Sequence, residues 1–246
     1  EEDIAFYRQL LPLEDVWGVG RKLAPQLRAL GIVDAQGVAE LRPQFAQQLM
    51  GVRGRQLVVE LNGTSCFPLE QLDSLPKSIA RTRTFGEDTN QLHVIESAIA
   101  SFAAQAAYRL RVSGQLTRRA GLFATTSRHK PYYRSWASEV IFDVPTADNG
   151  LLAETLVAAF ARLYDKRHMY HRAGVWLHDF VPENLLQIDL LGKLDLKSHR
   201  QARLKMQALD QINSRYGKHT IRLAAEDLAK GWEPVHRLRS PRYVSR

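Results

Sequence analysis

The chain has one cysteine, Cys66, in 246 residues. A single thiol closes no internal disulfide, so a reducing, cytoplasmic setting fits. No apolar run is long enough to span a bilayer, and no charged-then-apolar leader opens the chain. The first residue is Glu1 rather than methionine, as in a fragment. Catalytic motifs are scarce too. There is no Gly-Lys-Ser phosphate loop and no Asp-x-Asp on an apolar stretch. The adjacent carboxylates are Glu14-Asp15, Glu87-Asp88 and Glu226-Asp227. Each falls in a turn or at an element end, whereas two-metal phosphoryl transfer needs carboxylates held together on rigid elements. His168 and His171 have no third partner spaced to complete a zinc site. No catalytic residue, metal ligand or cofactor is therefore assigned to this chain.

Positive charge is plentiful, and it comes in blocks. The net charge of +8 divides into −3 over residues 1–76, +7 over 77–136, −4 over 137–192 and +8 over 193–246. Clustered cations favour a polyanionic partner, although solvated basic faces produce the same count.

The stretch "VWGVGRKLAPQLRALGI" (Val16 to Ile32) sets two glycines between helical segments. Glycine in a helix costs about 1 kcal/mol relative to alanine, so the pair marks a break. Gly18, Val19 and Gly20 form the turn, and Arg21 and Lys22 open the next helix. A helix start presents free N–H groups and partial positive charge, and glycine removes the Cβ that would keep a phosphate away. Leu23, Leu27 and Leu30 point inward, Pro25 sits in the first turn, and Gly31 ends the helix. This is a helix-hairpin-helix design, which grips a nucleic-acid backbone without reading sequence. A looser copy follows in "LMGVRGRQLVVELNG", with Gly51 and Gly54 around a turn and then Arg55. Two ordinary helical corners with capping glycines would look alike.

Residues 69–76 look like a linker. "KSIARTRTFGE" then reads as a strand that puts Arg81 and Arg83 on one face with Ile79 and Phe85. A helix follows at 91–112, strands at about 115–126 and 134–143, a helix at about 150–168, and a strand at "AGVWLHDF" (Ala173 to Phe180). The order β-α-β-β-α-β predicts an α+β fold: a small helical domain, then a four-stranded antiparallel sheet with two helices on one face. Arg81, Arg83, Arg118, Arg119 and Arg134 are the candidates for phosphate contacts on the open face.

Three stretches carry a family resemblance. "LEDVWGVGRKLAPQLRALGI" resembles the thumb of Y-family translesion DNA polymerases of the bacterial UmuC type. "KSIARTRTFGEDT" resembles the opening of their little finger. "KMQALDQINSRYGKHTIRLA" with "RSPRY" resembles their C-terminal extension. The resemblance implies a thumb over 1–68, a linker at 69–76, a little finger over 77–182 and a basic extension over 193–246. It implies that the palm and fingers, with their carboxylates and Mg2+ ions, lie outside these residues, so that the chain holds primer–template DNA without extending it, in SOS mutagenesis and repair. Between little finger and extension, 183–192 contains "QIDLL", which resembles the peptide that docks bacterial polymerases on the sliding clamp. Gln187 would be its polar anchor, and Ile188, Leu190 and Leu191 its apolar part. The extension would meet DNA, processed UmuD or the recombinase filament. A stand-alone hairpin-built DNA-binding adaptor is the alternative, and a nuclease fragment with tandem hairpins is a third reading.

Overall fold

A computed structural model describes residues 2–67, 75–185, 196–226 and 231–233. Two compact units divide the chain, residues 1–73 and 74–246. In the first, glycine and proline cut the sequence into short helices: α1 (Glu2–Leu10), α2 (Leu23–Ala29), α3 (Ala35–Ala39) and α4 (Pro43–Leu61), with a 3-10 turn at Leu13–Asp15. Asp34 caps α3 by accepting the Gly37 N–H at 2.8 Å. Pro43 opens α4 where its missing N–H costs no helical bond. Leu13, Val16, Val19, Leu27, Val38, Ala46 and Val58 close a small core. Leu30, expected inward, is 51% exposed. It sits at the C-cap of α2, where the helical periodicity has ended. Gly31 then takes φ +80°, so its N–H reaches Arg28 O at 2.9 Å and the Ile32 N–H reaches Leu27 O at 3.1 Å. That pair of bonds is a Schellman stop.

The second unit has the α+β order expected: β1 (Ser78–Thr89), α5 (Leu92–Val112), β2 (Gln115–Thr125), β3 (Ser135–Thr146), α6 (Asn149–Ala161) and β4 (Tyr170–Pro182). The strands form one antiparallel sheet in the order β1-β4-β2-β3. Alternation decides the faces. Ala120, Leu122 and Ala124 of β2 and Ala173, Val175 and Leu177 of β4 join the core with Ile95, Ile99 and Phe102 of α5 and Leu152, Leu156 and Phe160 of α6. Helix α6 is shorter than the pattern predicts. It ends at Ala161, the Leu163 and Tyr164 N–H groups close on Phe160 O at 2.8 and 3.0 Å, and beyond them the Asp165 carboxylate accepts the Arg167 N–H at 3.0 Å in a turn.

Helix α5 is buried almost all round from Ile95 to Ala107, because α6 packs beside it and the extension's 3-10 turn at Ala224–Glu226, with Trp232, covers more of the side the sheet leaves free. Helix α7 (Leu196–Tyr216) places Asp210 against Arg111, whose guanidinium donates to both carboxylate oxygens at 2.7 Å and to Ala147 O at 2.6 Å. Beyond it, Trp232 is 2% exposed, meets Phe102 edge-on at 5.0 Å and accepts the Gly86 N–H through its carbonyl at 3.1 Å. No helix among the described residues is long and apolar enough to cross a membrane.

Trp232 fills a core position from a segment outside the sheet domain. Trp232→Ala is expected to cost about 3 kcal/mol by leaving a cavity against Phe102, measured by urea denaturation of the whole chain.

Candidate nucleic-acid interface

The first hairpin has the turn its glycines require. Gly18 takes φ +97°, which an L side chain rarely adopts, while Val16 and Val19 on either side of Trp17-Gly18 are buried and anchor the loop. The Val19 N–H closes the turn on Val16 O at 2.9 Å. Gly20 faces open space where a Cβ would stand. Its carbonyl accepts from Leu23 and Ala24 at 2.9 and 3.0 Å, starting α2. Among the described residues, the N–H groups of Gly20, Arg21 and Lys22 meet no backbone carbonyl. Arg21 and Lys22 are exposed beside them, and Trp17 at the tip is 93% exposed. The loop thus presents backbone donors, two cations and an indole.

The second hairpin departs from its expected form. Gly51 breaks α4 with φ +73° and is exposed, as is Arg55. Gly54 is not part of that turn. It is buried in the second half of α4, where a Cβ would lie 2.3 Å from Met50 Cβ and 2.8 Å from Ala46 O. It lets the two halves of the kinked helix approach, so Gly54 serves close packing and Gly51 alone makes the turn.

The sheet redistributes the predicted arginines. Arg81 pairs with Val175 and Arg83 with Ala173, both fully buried on the helix side. Directly paired residues share a face. Arg81 and Arg83 therefore run along the rim of the covered face, not on the open one. Burial lowers the Arg81 pKa, helped by the nearby Arg109 charge. Arg119 alone of the five stands on the open face inside a strand, opposite His178 and Ile141. It is neutralised there by Glu139 at 3.1 Å and Asp179 at 3.6 Å. His178 Nε2 lies 2.5 Å from the other Glu139 oxygen, and this hydrogen bond, with that of Arg119, holds the Glu139 carboxyl below the usual range. Arg118 is exposed beside a bulge in the β2–β3 pairing. Arg134 is exposed in the loop between those strands.

The rest of the open face escaped sequence reasoning. Arg172, Gly174, Trp176 and His178 of β4 lie beside Arg119, Gly121, Phe123 and Thr125 of β2. The signal was present as period two in "RRAGLFATT" and "HRAGVWLHD". At one end of the sheet, the loop carrying Arg128, Lys130, Tyr132 and Arg134 is tied down by Asp88. That carboxylate takes Lys130 Nζ at 2.7 Å and His171 Nδ1 at 2.6 Å. Tyr132, with φ +65°, is 90% exposed. Cys66 is half-buried. Gln187, Ile188, Leu190 and Leu191, with "RSPRY", lie outside the described residues.

Comparison with known proteins gives this geometry a family. Residues 9–32 match the IMS family HHH motif, residues 76–190 the impB/mucB/samB family C-terminal domain, and residues 205–246 a domain of unknown function. The chain is 33% identical over 240 residues to Protein SamB and 32% over 241 to Protein UmuC, both of Salmonella typhimurium. Each alignment takes in 96% of this chain and 56% of the relative. DNA polymerase IV of Moorella thermoacetica is 29% identical over 224 residues, 87% of this chain and 52% of that protein. Together these matches support the chain as the C-terminal portion of a UmuC-type, Y-family polymerase, with the helix-hairpin-helix motif at 9–32 and the impB/mucB/samB C-terminal domain at 76–190. The chain spans little more than half the length of these relatives.

Asp88 supplies a pH test of the loop anchor. Burial pushes its pKa up, but hydrogen bonds and charge from Lys130 and His171 outweigh that and hold it below the usual value. A depressed folded pKa gives stability that is full above about pH 4 and lost as pH falls through the folded value. Asp88→Asn is expected to lower the melting temperature by about 2 °C at pH 7. In thermal melts, the gap to wild type should close below about pH 4.

Proposed function

We propose that these 246 residues hold primer–template DNA for a translesion polymerase and dock it on the sliding clamp. The observation that carries this reading is the first hairpin, where N–H groups from Gly20 to Lys22, which meet no backbone carbonyl among the described residues, stand beside two exposed cations. A phosphate fits that arrangement: it accepts from backbone donors, needs no Cβ in its path and is neutralised by Arg21 and Lys22. The exposed Gly51 and Arg55 offer a similar, smaller turn. Contacts of this kind ignore base identity, which suits an enzyme that copies damaged templates.

The sheet's part in holding DNA differs from the one its arginine count suggests. With Arg119 paired and Arg81 and Arg83 on the other side, phosphate contacts fall to the loop cations Arg128 and Arg134 and to Arg172 at the same end of the sheet. Clamp docking rests on Gln187, Ile188, Leu190 and Leu191, by likeness to the clamp-binding peptide. The role is holding rather than catalysis, so nucleotide incorporation by the purified chain would overturn it. Processed UmuD and the recombinase filament are further partners that the family implies for the extension.

Two measurements test this. Arg21→Ala/Lys22→Ala is expected to weaken binding to primer–template about tenfold at roughly 0.1 M salt and to flatten the plot of log affinity against log salt by about one to two units. An unchanged slope would remove the hairpin from the interface. Separately, Gln187→Ala/Leu190→Ala is expected to abolish binding to the bacterial sliding clamp while leaving DNA affinity intact.

A further inference from the structure

Two aromatic rings lie across the centre of the open sheet face, each over a glycine of the neighbouring strand. Trp176 of β4 is paired with Gly121 of β2, and Phe123 of β2 with Gly174 of β4. A Cβ on Gly121 would stand 2.1 Å from Trp176 Cζ2, and one on Gly174 would stand 2.5 Å from Phe123 Cε1. Any other residue at either position would lift the ring. The two ring planes lie within 29° of each other, with centroids 6.3 Å apart. They form one shallow platform that neither helix covers, and both remain part-exposed.

The charges around the platform are unusual for a surface that meets a polyanion. Arg119 is matched by Glu139 and Asp179, and His178 by Glu139. Arg172 is different. Its guanidinium lies 5.8 Å above the Phe123 centroid and donates to Thr82 Oγ1 at 2.8 Å, and among the described residues no carboxylate pairs with it. The centre of the face is therefore flat, aromatic and nearly neutral, with cations at the end where Arg172 and the Arg128–Arg134 loop lie.

We propose that this platform stacks an unpaired nucleobase of a DNA strand, with Arg172 and the loop cations taking the adjoining phosphates. This rests on the DNA-holding reading above and names the strand form that the sheet selects. Duplex DNA buries its base faces and shows only edges and backbone, so a flat aromatic surface gains little from it. A single strand offers π faces of any sequence, and aromatic stacking is the sequence-tolerant way to hold them. An occupant held by charge would need the face to be cationic, and at its centre it is not.

The test compares two DNAs of equal duplex length, one blunt and one with a single-stranded template overhang, titrated with the whole chain over a salt series. Wild type should prefer the overhang. Trp176→Leu keeps an apolar side chain but removes the π face. It should weaken overhang binding about tenfold, leave blunt-duplex binding unchanged and leave the salt slope unaltered. Trp176→Phe should restore the preference, which a merely structural defect would not allow. Circular dichroism establishes that both variants are folded. A folded Trp176→Leu chain that keeps the overhang preference overturns the platform, as it would if the face served a protein partner. A salt slope that falls together with affinity also overturns it, because the site would then be electrostatic. If Arg21→Ala/Lys22→Ala weakens binding in the same experiment, the holding reading survives either result. Failure of wild type to bind either DNA removes both.

Discussion

The register of β4 between β1 and β2 is the constraint on which the second unit depends. Side chains alternate with a period of two, so a one-residue slip would exchange the whole of each face. In the register observed, Ala173, Val175 and Leu177 point at α5 and α6, and Arg172, Gly174, Trp176 and His178 point away. The same pairing carries Arg81 and Arg83 to the covered side, since they sit opposite Val175 and Ala173. Core formation and the chemistry of the open face are thus one decision. Burying Val175 presents Trp176.

Glycine serves four different ends in this chain. Gly18 adopts a backbone conformation closed to most residues and so makes the hairpin turn. Gly51 bends α4. Gly54 lets the two halves of that helix approach each other. Gly121 and Gly174 leave room for aromatic rings to lie down. The first and last of these shape the two surfaces proposed to meet DNA. One exposes backbone donors and cations to phosphates, and the other exposes ring faces to bases. Their responses to salt differ, because the first releases counterions on binding and the second does not.

The C-terminal extension is an integral layer of the second unit. Arg111 fixes α7 through Asp210, and Trp232 completes the core beside Phe102. Part of the segment matched by a domain of unknown function thereby acquires a physical role, because it covers a helix too alanine-rich to shield its own far side. Asp210 is the only carboxylate on α7 and is spent on Arg111, while Arg200, Lys205 and Arg215 are exposed on that helix.

The order of elements was legible because each leaves a local mark. Gly31 stops α2, alanine and leucine periodicity draws α5, and alternation draws the strands. The hairpin was legible for the same reason, since a glycine turn followed by cations is a property of a few consecutive residues. The side of the sheet on which an arginine emerges is not local. It depends on which strand lies opposite, and "SIARTRTF" reads equally well with either face buried. For that reason the sequence leaves the side of Arg81 and Arg83 to the strand pairing, which puts them on the covered face, and it does not mark Phe123, Trp176 and Arg172 as neighbours. The packing of Gly54 was not legible, because a turn glycine and a close-packing glycine look identical until the neighbouring segment is in place. The sequence by itself determined the elements, their order and the glycine turn with its two cations, all of which follow from short-range sterics and periodicity. Only tertiary structure decided which faces meet, and through them that the open sheet carries rings where cations were expected.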